Sequence, residues 1–238
     1  MPNHVAVNPR DHKDLRVLET RSDEMGDGMM CCITFPEEFR SLQNHYPILF
    51  QLNQETNEYM CLVVFGFENS ENLFLKNDKW DARYIPLAMD IQPFMIGKSA
   101  EHDGERKVVV DLDSPRLGNG EGRRIFTEEG APTIYLENVS KKLAYLDEGF
   151  SNSGAYIKCL QKYDLLEALS IDVTLKDGSK NRLVGFFTIN EDRFRQLSPE
   201  ALAELQEEGY LMPSFMLLAS LSNLGALIHR KNDLFVDV

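Results

Sequence analysis

Four cysteines, five histidines and a single tryptophan are spread over 238 residues, so metal, redox and stacking chemistry have little to work with. Cys31, Cys32, Cys61 and Cys159 contain no Cys-x-x-Cys spacing, which argues against a zinc knuckle or a thioredoxin-type pair. Cys31 and Cys32 are adjacent on a short apolar stretch and face opposite sides if that stretch is extended. Cys61 and Cys159 lie among apolar neighbours, where a free thiol packs as a small hydrophobe. All four are expected to be reduced, which points to the cytosol. His4, His12, His45, His102 and His229 form neither His-x-His nor His-x-x-x-His, and no metal is expected. A Gly-x-Ser-x-Gly elbow is missing, as is Gly-Lys-Ser/Thr. Basic charge is scarce too. With 25 Lys and Arg against 38 Asp and Glu the net charge is −13, which argues against a general nucleic-acid binder and against anionic lipid surfaces. Residues 211–228 form the longest apolar stretch, but Pro213, Gly225 and several Ser and Asn break it below the run of about 18 that a membrane span needs. Residues 1–13 are polar and lack the apolar centre of a secretory signal, so a cytoplasmic location is expected.

What is present is core-forming. Hydrophobic residues make up 43% of the chain, with 14 Phe and 8 Tyr, enough to fill a sizeable interior. Residues 15–20 and 29–35 read as strands. Pro36-Glu37-Glu38 opens a short helix, because proline tolerates the first turn and acids suit the positive end of the dipole. That helix must stop before Tyr46-Pro47. Residues 48–52 and 59–67 flank a polar connection and predict a hairpin; the apolar run 61–65 predicts a strand covered on both faces. A second pair is expected from residues 94–98 and 107–113, joined through His102-Asp103-Gly104. A third comes from residues 171–175 and 183–188 around Asp177-Gly178. Helices are predicted within residues 80–90, over 133–163 as two pieces broken near Gly149-Phe150, and at 192–196. Ser198-Pro199-Glu200 predicts a further helix that ends at Gly209. Pro213 opens a final helix whose buried face would carry Phe215, Leu218, Leu221, Leu224 and Ile228. Hairpins and helices without strict alternation predict an α+β fold, mostly antiparallel sheet with packed helices and a helical C-terminal segment. Residues 1–13 are expected to be a poorly ordered tail and 14–238 a single domain.

The aromatic and proline residues between 46 and 94 are the densest concentration of binding chemistry. Tyr46, Trp80, Arg83, Tyr84, Pro86 and Phe94 together supply rigid contact area and a guanidinium that pairs with a carboxylate. They are the candidate ligand-binding set, to which Gly120 and Glu121 of the Gly-x-Gly-x-Gly cluster at 118–122 are added. The plain alternative for the rings is core packing, and for the glycines a loop that needs positive φ. Asp111 and Asp113 share one side of a strand end. With Arg83, Tyr84 and Glu121 they define where an enzymatic site would lie.

The chain resembles the SapC family of bacterial proteins. The resemblance runs from about residue 35 to residue 230. It rests on Tyr46-Pro47-Ile48, Glu71-Asn72-Leu73-Phe74, Trp80, Ala82-Arg83-Tyr84-Ile85-Pro86, Pro93-Phe94 and Gly120-Glu121-Gly122. It continues through residues 183–189, Ser198-Pro199-Glu200 and Ser220-Leu221-Ser222-Asn223-Leu224. The missing catalytic motifs and the aromatic–proline concentration point to a non-catalytic protein without a cofactor that acts on a protein or peptide partner, and the resemblance implies an accessory role in TonB-dependent uptake or surface-protein systems. Flavin-dependent halogenase-like proteins, cupin-like proteins and a TonB-dependent receptor are the partners it implies. An enzyme subunit working with a halogenase-like or cupin-like protein is the alternative, and a surface-layer component the second.

Overall fold

The computed structural model describes residues 3–98, 106–118 and 120–235. In chain order the strands are β1 (His4–Ala6), β2 (Arg16–Val17), β3 (Cys31–Thr34), β4 (Ile48–Asn53), β5 (Glu58–Val64), β6 (Leu75–Lys76), β7 (Lys79–Trp80), β8 (Phe94–Lys98), β9 (Arg106–Asp111), β10 (Leu117–Gly118), β11 (Arg123–Arg124), β12 (Leu166–Thr174) and β13 (Lys180–Ile189). The helices are α1 (Pro9–His12), α2 (Phe39–Leu42), α3 (Leu87–Asp90), α4 (Ile134–Lys162), α5 (Glu191–Arg195), α6 (Pro199–Glu207), α7 (Leu211–Ser220) and α8 (Asn223–Asp233). Every strand pair among the described residues is antiparallel, and helices follow one another from Glu191 to Asp233, so the fold is α+β as expected.

The chain divides into two compact units. One comprises Met1–Gly28, Leu75–Asp81 and Leu87–Glu148; the other comprises Met29–Phe74, Ala82–Pro86 and Gly149–Val238.

The first unit holds the three-stranded sheets β1-β9-β8 and β10-β2-β11 and the ribbon β6-β7. The segment expected as a poorly ordered tail supplies β1, with Val5 opposite Val110, and α1, which Asn8 caps by accepting from Asp11 N. Apolar Val5 and Val7 give that segment something to bury, and strand pairing satisfies its backbone. The short helix expected within residues 80–90 is α3. Ahead of it, Asn77 and Asp78 take positive φ (51° and 58°) and turn the chain into the tight β6–β7 hairpin, a conformation these two residue types tolerate. The joining loop at His102-Asp103-Gly104 lies outside the described residues.

The second unit is built on the five-stranded sheet β12-β13-β4-β5-β3. The run from Cys61 to Phe65 is buried throughout, as an apolar strand covered on both faces must be. Hairpins β4–β5 and β12–β13 match the predicted pairs, with Leu49 opposite Leu62 and Ile171 opposite Leu183. Ser198 caps α6 by accepting from Ala201 N at 3.2 Å.

Two helical expectations need correction. Residues 134–162 form one continuous helix of 29 residues, not two. Gly149 sits inside it because a Cβ there would lie 2.1 Å from Phe35 Cδ2; the glycine lets helix and strand end approach closely and does not break the helix. The final segment is two helices, and the buried stripe is not the predicted one. Pro213, Ser214, Leu217, Ser220 and Leu227 face inward, whereas Phe215 is 54% exposed.

Candidate functional site

Of the eight predicted residues, Tyr46, Arg83, Tyr84 and Pro86 belong to the second unit, and three hydrogen bonds there link Tyr46, Tyr84, Glu38 and Thr34. Tyr46 Oη donates to the Tyr84 carbonyl at 2.5 Å. Tyr84 Oη donates to Glu38 Oε1 at 3.0 Å, and Thr34 Oγ1 donates to Glu38 Oε2 at 2.7 Å. Glu38 is buried, so two hydroxyl donors replace its hydration. Tyr46 itself is 0% exposed, with its ring against Phe65 and Phe74 at centroid distances of 5.6 and 4.6 Å. Arg83 is exposed. Burial, then Arg83 and Arg230, hold the His45 imidazole below its ordinary value, which marks a small basic zone on an acidic chain.

Trp80, Phe94, Gly120 and Glu121 belong to the first unit. Trp80 is 8% and Phe94 2% exposed, and Phe94 meets Tyr135 edge-on at 6.3 Å. Gly120 and Glu121 are exposed. Gly122 has φ +97° and its missing Cβ would fall 2.5 Å from the Val17 carbonyl oxygen, so β2 and the turn approach each other only through glycine. Asn119 of the same cluster lies outside the described residues. The four most apolar members of the predicted set, Tyr46, Trp80, Pro86 and Phe94, are thus buried; Arg83, Gly120 and Glu121 face solvent, with Tyr84 half-buried.

Sequence reasoning missed an ionic network in the first unit. Asp27 is 0% and Arg116 1% exposed, and they pair directly. Arg21 joins Asp27 and Asp90, each at 3.2 Å, and Lys142 pairs with Asp90. Arg116 Nη1 also donates to the Thr20 carbonyl at 3.0 Å, and Asp27 Oδ2 accepts from Ser22 N at 3.1 Å. Burial, then Asp90, raise the nearby Tyr135 phenol to about 12.

None of the groups considered for nucleophilic or metal chemistry is poised in that way. Burial pushes the thiols of Cys31, Cys61 and Cys159 up; Cys32 is pushed well up by burial, then by Glu38 and Cys31. Such cysteines stay protonated near neutrality. Asp111 Oδ1 accepts from Asp113 N at 3.1 Å, so this pair shapes a turn. Among the described residues no group of three or more His, Cys, Asp or Glu is arranged to hold a metal ion.

Three clefts were compared. One in the first unit, about 570 Å³, is walled by Val7, Val108, Phe126 and Leu136, with Lys141 and Glu137 beside them. One in the second unit, about 430 Å³, lies between Tyr59, Cys61 and Ile157. The third, about 240 Å³, is also in the second unit and is lined by Glu37, Arg40, Glu208, Met212, Pro213 and Met216, among others. None of the eight predicted residues lines any of the three.

The third cleft adjoins an unusual helix face. Met212 and Phe215 on α7 are each 54% exposed, and Leu218 and Ala219 continue the same side at helical spacing. The opposite side of α7 is docked by hydroxyls: Ser214 Oγ lies 3.2 Å from Tyr156 Oη, and Ser220 Oγ accepts from Ile48 N at 2.9 Å. Phe215 is steadied from one flank by Phe194, with ring centroids 5.3 Å apart. By length and mean hydropathy (1.6), the stretch Leu211–Asp233 would suffice to cross a membrane; 22% of that window is buried.

A family model described as SapC matches residues 7–227. The chain belongs to the SapC family. No curated protein and no solved structure gives a significant match.

Within this SapC chain the α7 face was concealed by its own composition. Apolar residues occupy every side of α7, so periodicity cannot tell which side is buried. The usable signal was polar: Ser214, Leu217 and Ser220 recur every third residue, a stripe whose two hydroxyls find partners in the core.

Proposed function

We propose that this SapC-family chain is a non-catalytic, cytosolic binding protein that acts on a protein or peptide partner. The observation that carries this is the outer face of α7, where Met212 and Phe215 stand half-exposed beside the cleft floored by Met212, Pro213 and Met216. Large apolar side chains grouped on a helix and next to a concavity are what interaction surfaces use, whereas scattered exposed hydrophobes carry no such meaning. The partners that the resemblance implies, halogenase-like or cupin-like proteins or a TonB-dependent receptor, remain the first to look for.

The test is affinity capture from native lysate with the wild-type chain, a Met212→Ser/Phe215→Ser variant and an Arg83→Ala variant. The wild type is expected to retain a defined partner at fixed stoichiometry. The α7 variant is expected to lose it by about thirtyfold, the effect of about 2 kcal/mol at a binding hot spot. Far-UV circular dichroism and melting temperature confirm that the variant is folded. Equal capture by all three proteins, or none by the wild type, overturns the proposal. Fractionation that finds the chain with surface-layer material would replace it with the structural role.

A further inference from the structure

The α7 face has a chemical polarity that narrows its occupant. Its adjoining cleft is lined by Glu37 and Glu208, and Arg40 is the one base among its lining residues. Glu207 and Glu208 close α6, whose last turn carries no base, so two exposed carboxylates sit where the helix dipole already places negative charge. Burial, then Glu208, with Glu37 adding to it, hold the Tyr210 phenol above its ordinary value, so both carboxylates are felt in the cleft. Carboxylates at a helix C-terminus oppose its dipole, and a cation placed beside them is favoured.

Resting on the proposed binding role, we infer that the α7 face takes a basic amphipathic helix of another protein. Its apolar side would lie along Met212, Phe215 and Ala219, and its Lys or Arg residues would pair with Glu37, Glu207 and Glu208. An exposed helix face of two or more turns offers ridges and grooves into which a second helix packs at about 8–10 Å. The carboxylates disfavour the two other occupants. An anionic membrane surface would be repelled by them and by the net charge of −13. A second copy paired about a two-fold axis would bring the same acidic residues to the interface a second time and so supply no added cations to match them.

Three fluorescent helical peptides with one apolar face of leucines and a polar face of lysine, glutamate or glutamine test this by anisotropy titration of the full chain. The lysine peptide is expected to bind about tenfold or more tighter than the glutamate peptide, weakening as salt rises. Met212→Ser/Phe215→Ser should abolish that binding. Glu37→Lys/Glu208→Lys, which alters only surface charge, should invert the order of lysine and glutamate peptides. Phe215-dependent binding that ignores peptide charge overturns the basic partner and leaves the binding role standing. Failure of all three peptides to bind overturns the inference, whereas the binding role is judged by native capture. Sedimentation of the chain with neutral or anionic vesicles, or concentration-dependent dimerisation, lost in either case on Met212→Ser/Phe215→Ser, assigns the face to a membrane or to a second copy instead.

Discussion

At the centre of the first unit an aspartate and an arginine, Asp27 and Arg116, pair with 0% and 1% exposure. At the centre of the second lie Tyr46, Phe50, Phe65 and Tyr156, each 0% exposed, around a sheet whose central strands β4 and β5 carry buried apolar runs. Both interiors are well filled, yet they answer to different forces. In the first, opposite charges with fixed hydrogen bonds tie the segments around Arg21, Asp27 and Arg116 to α3. In the second, buried rings dominate the interior; hydroxyls at Ser214, Ser220 and on Glu38 fasten its helices, and the buried Lys231 pairs with Glu71 and Glu68. A unit whose core is secured in this way can leave one side of α7 uncovered. The half-exposed apolar residues on that side are the ones proposed to meet a partner.

The sharpest way to break this contrast is to remove one ion. Asp27→Ala leaves Arg116 buried without its carboxylate and should cost about 3–5 kcal/mol. Glu38→Gln, its counterpart in the second unit, retains a group that hydrogen-bonds and should cost about 1–3 kcal/mol. Denaturant titration measures both. Trp80 is the only tryptophan and belongs to the first unit, so its emission follows the Asp27 variant directly. If Asp27→Ala costs no more than Glu38→Gln, the ionic account of the first unit is wrong.

A smaller test lies within the second unit, along one helix. Gly149→Ala places a methyl group against the Phe35 ring and should destabilise by about 1–3 kcal/mol through overpacking. Gly154→Ala, five residues on, meets nothing within 4 Å and should stabilise by about 0.5–1 kcal/mol, the helix preference of alanine over glycine. Thermal melts of the two variants should move in opposite directions. Movement in the same direction would mean that Gly149 is not there for close packing.

What the sequence reveals follows the same division of forces. Hairpins β4–β5 and β12–β13 are legible because alternation, apolar runs and turn residues are local, and Ser198 announces α6 through a cap of three residues. The Asp27–Arg116 pair is not, since its members are distant in the chain and nothing local distinguishes them from the other 61 Asp, Glu, Lys and Arg side chains. Gly149 misleads because a glycine that permits contact looks like one that ends a helix. The predicted rings at Tyr46, Trp80 and Phe94 are read from composition, which identifies a large aromatic residue but not its exposure. The α7 face fails for the complementary reason: where apolar residues occupy all sides, only the partners of the serines decide the orientation.

The smallest expected effect concerns His45 in the second unit, beside Arg83 and Arg230. Burial comes first, then Arg83 and Arg230, and together they lower its proton affinity in the fold from the ordinary 6.5. Above that value the imidazole is neutral in both folded and unfolded chains, and the contribution is fully present. As pH falls below it, the unfolded chain takes up the proton first, so stability declines until the folded-state value is passed and then levels off. His45→Gln should flatten this segment of the stability profile, and Arg83→Ala should narrow it without removing it, because burial remains. Denaturation midpoints across the mildly acid range measure both, and a wild-type profile that rises with acidification there would show that His45 gains a partner in the fold instead of losing solvent.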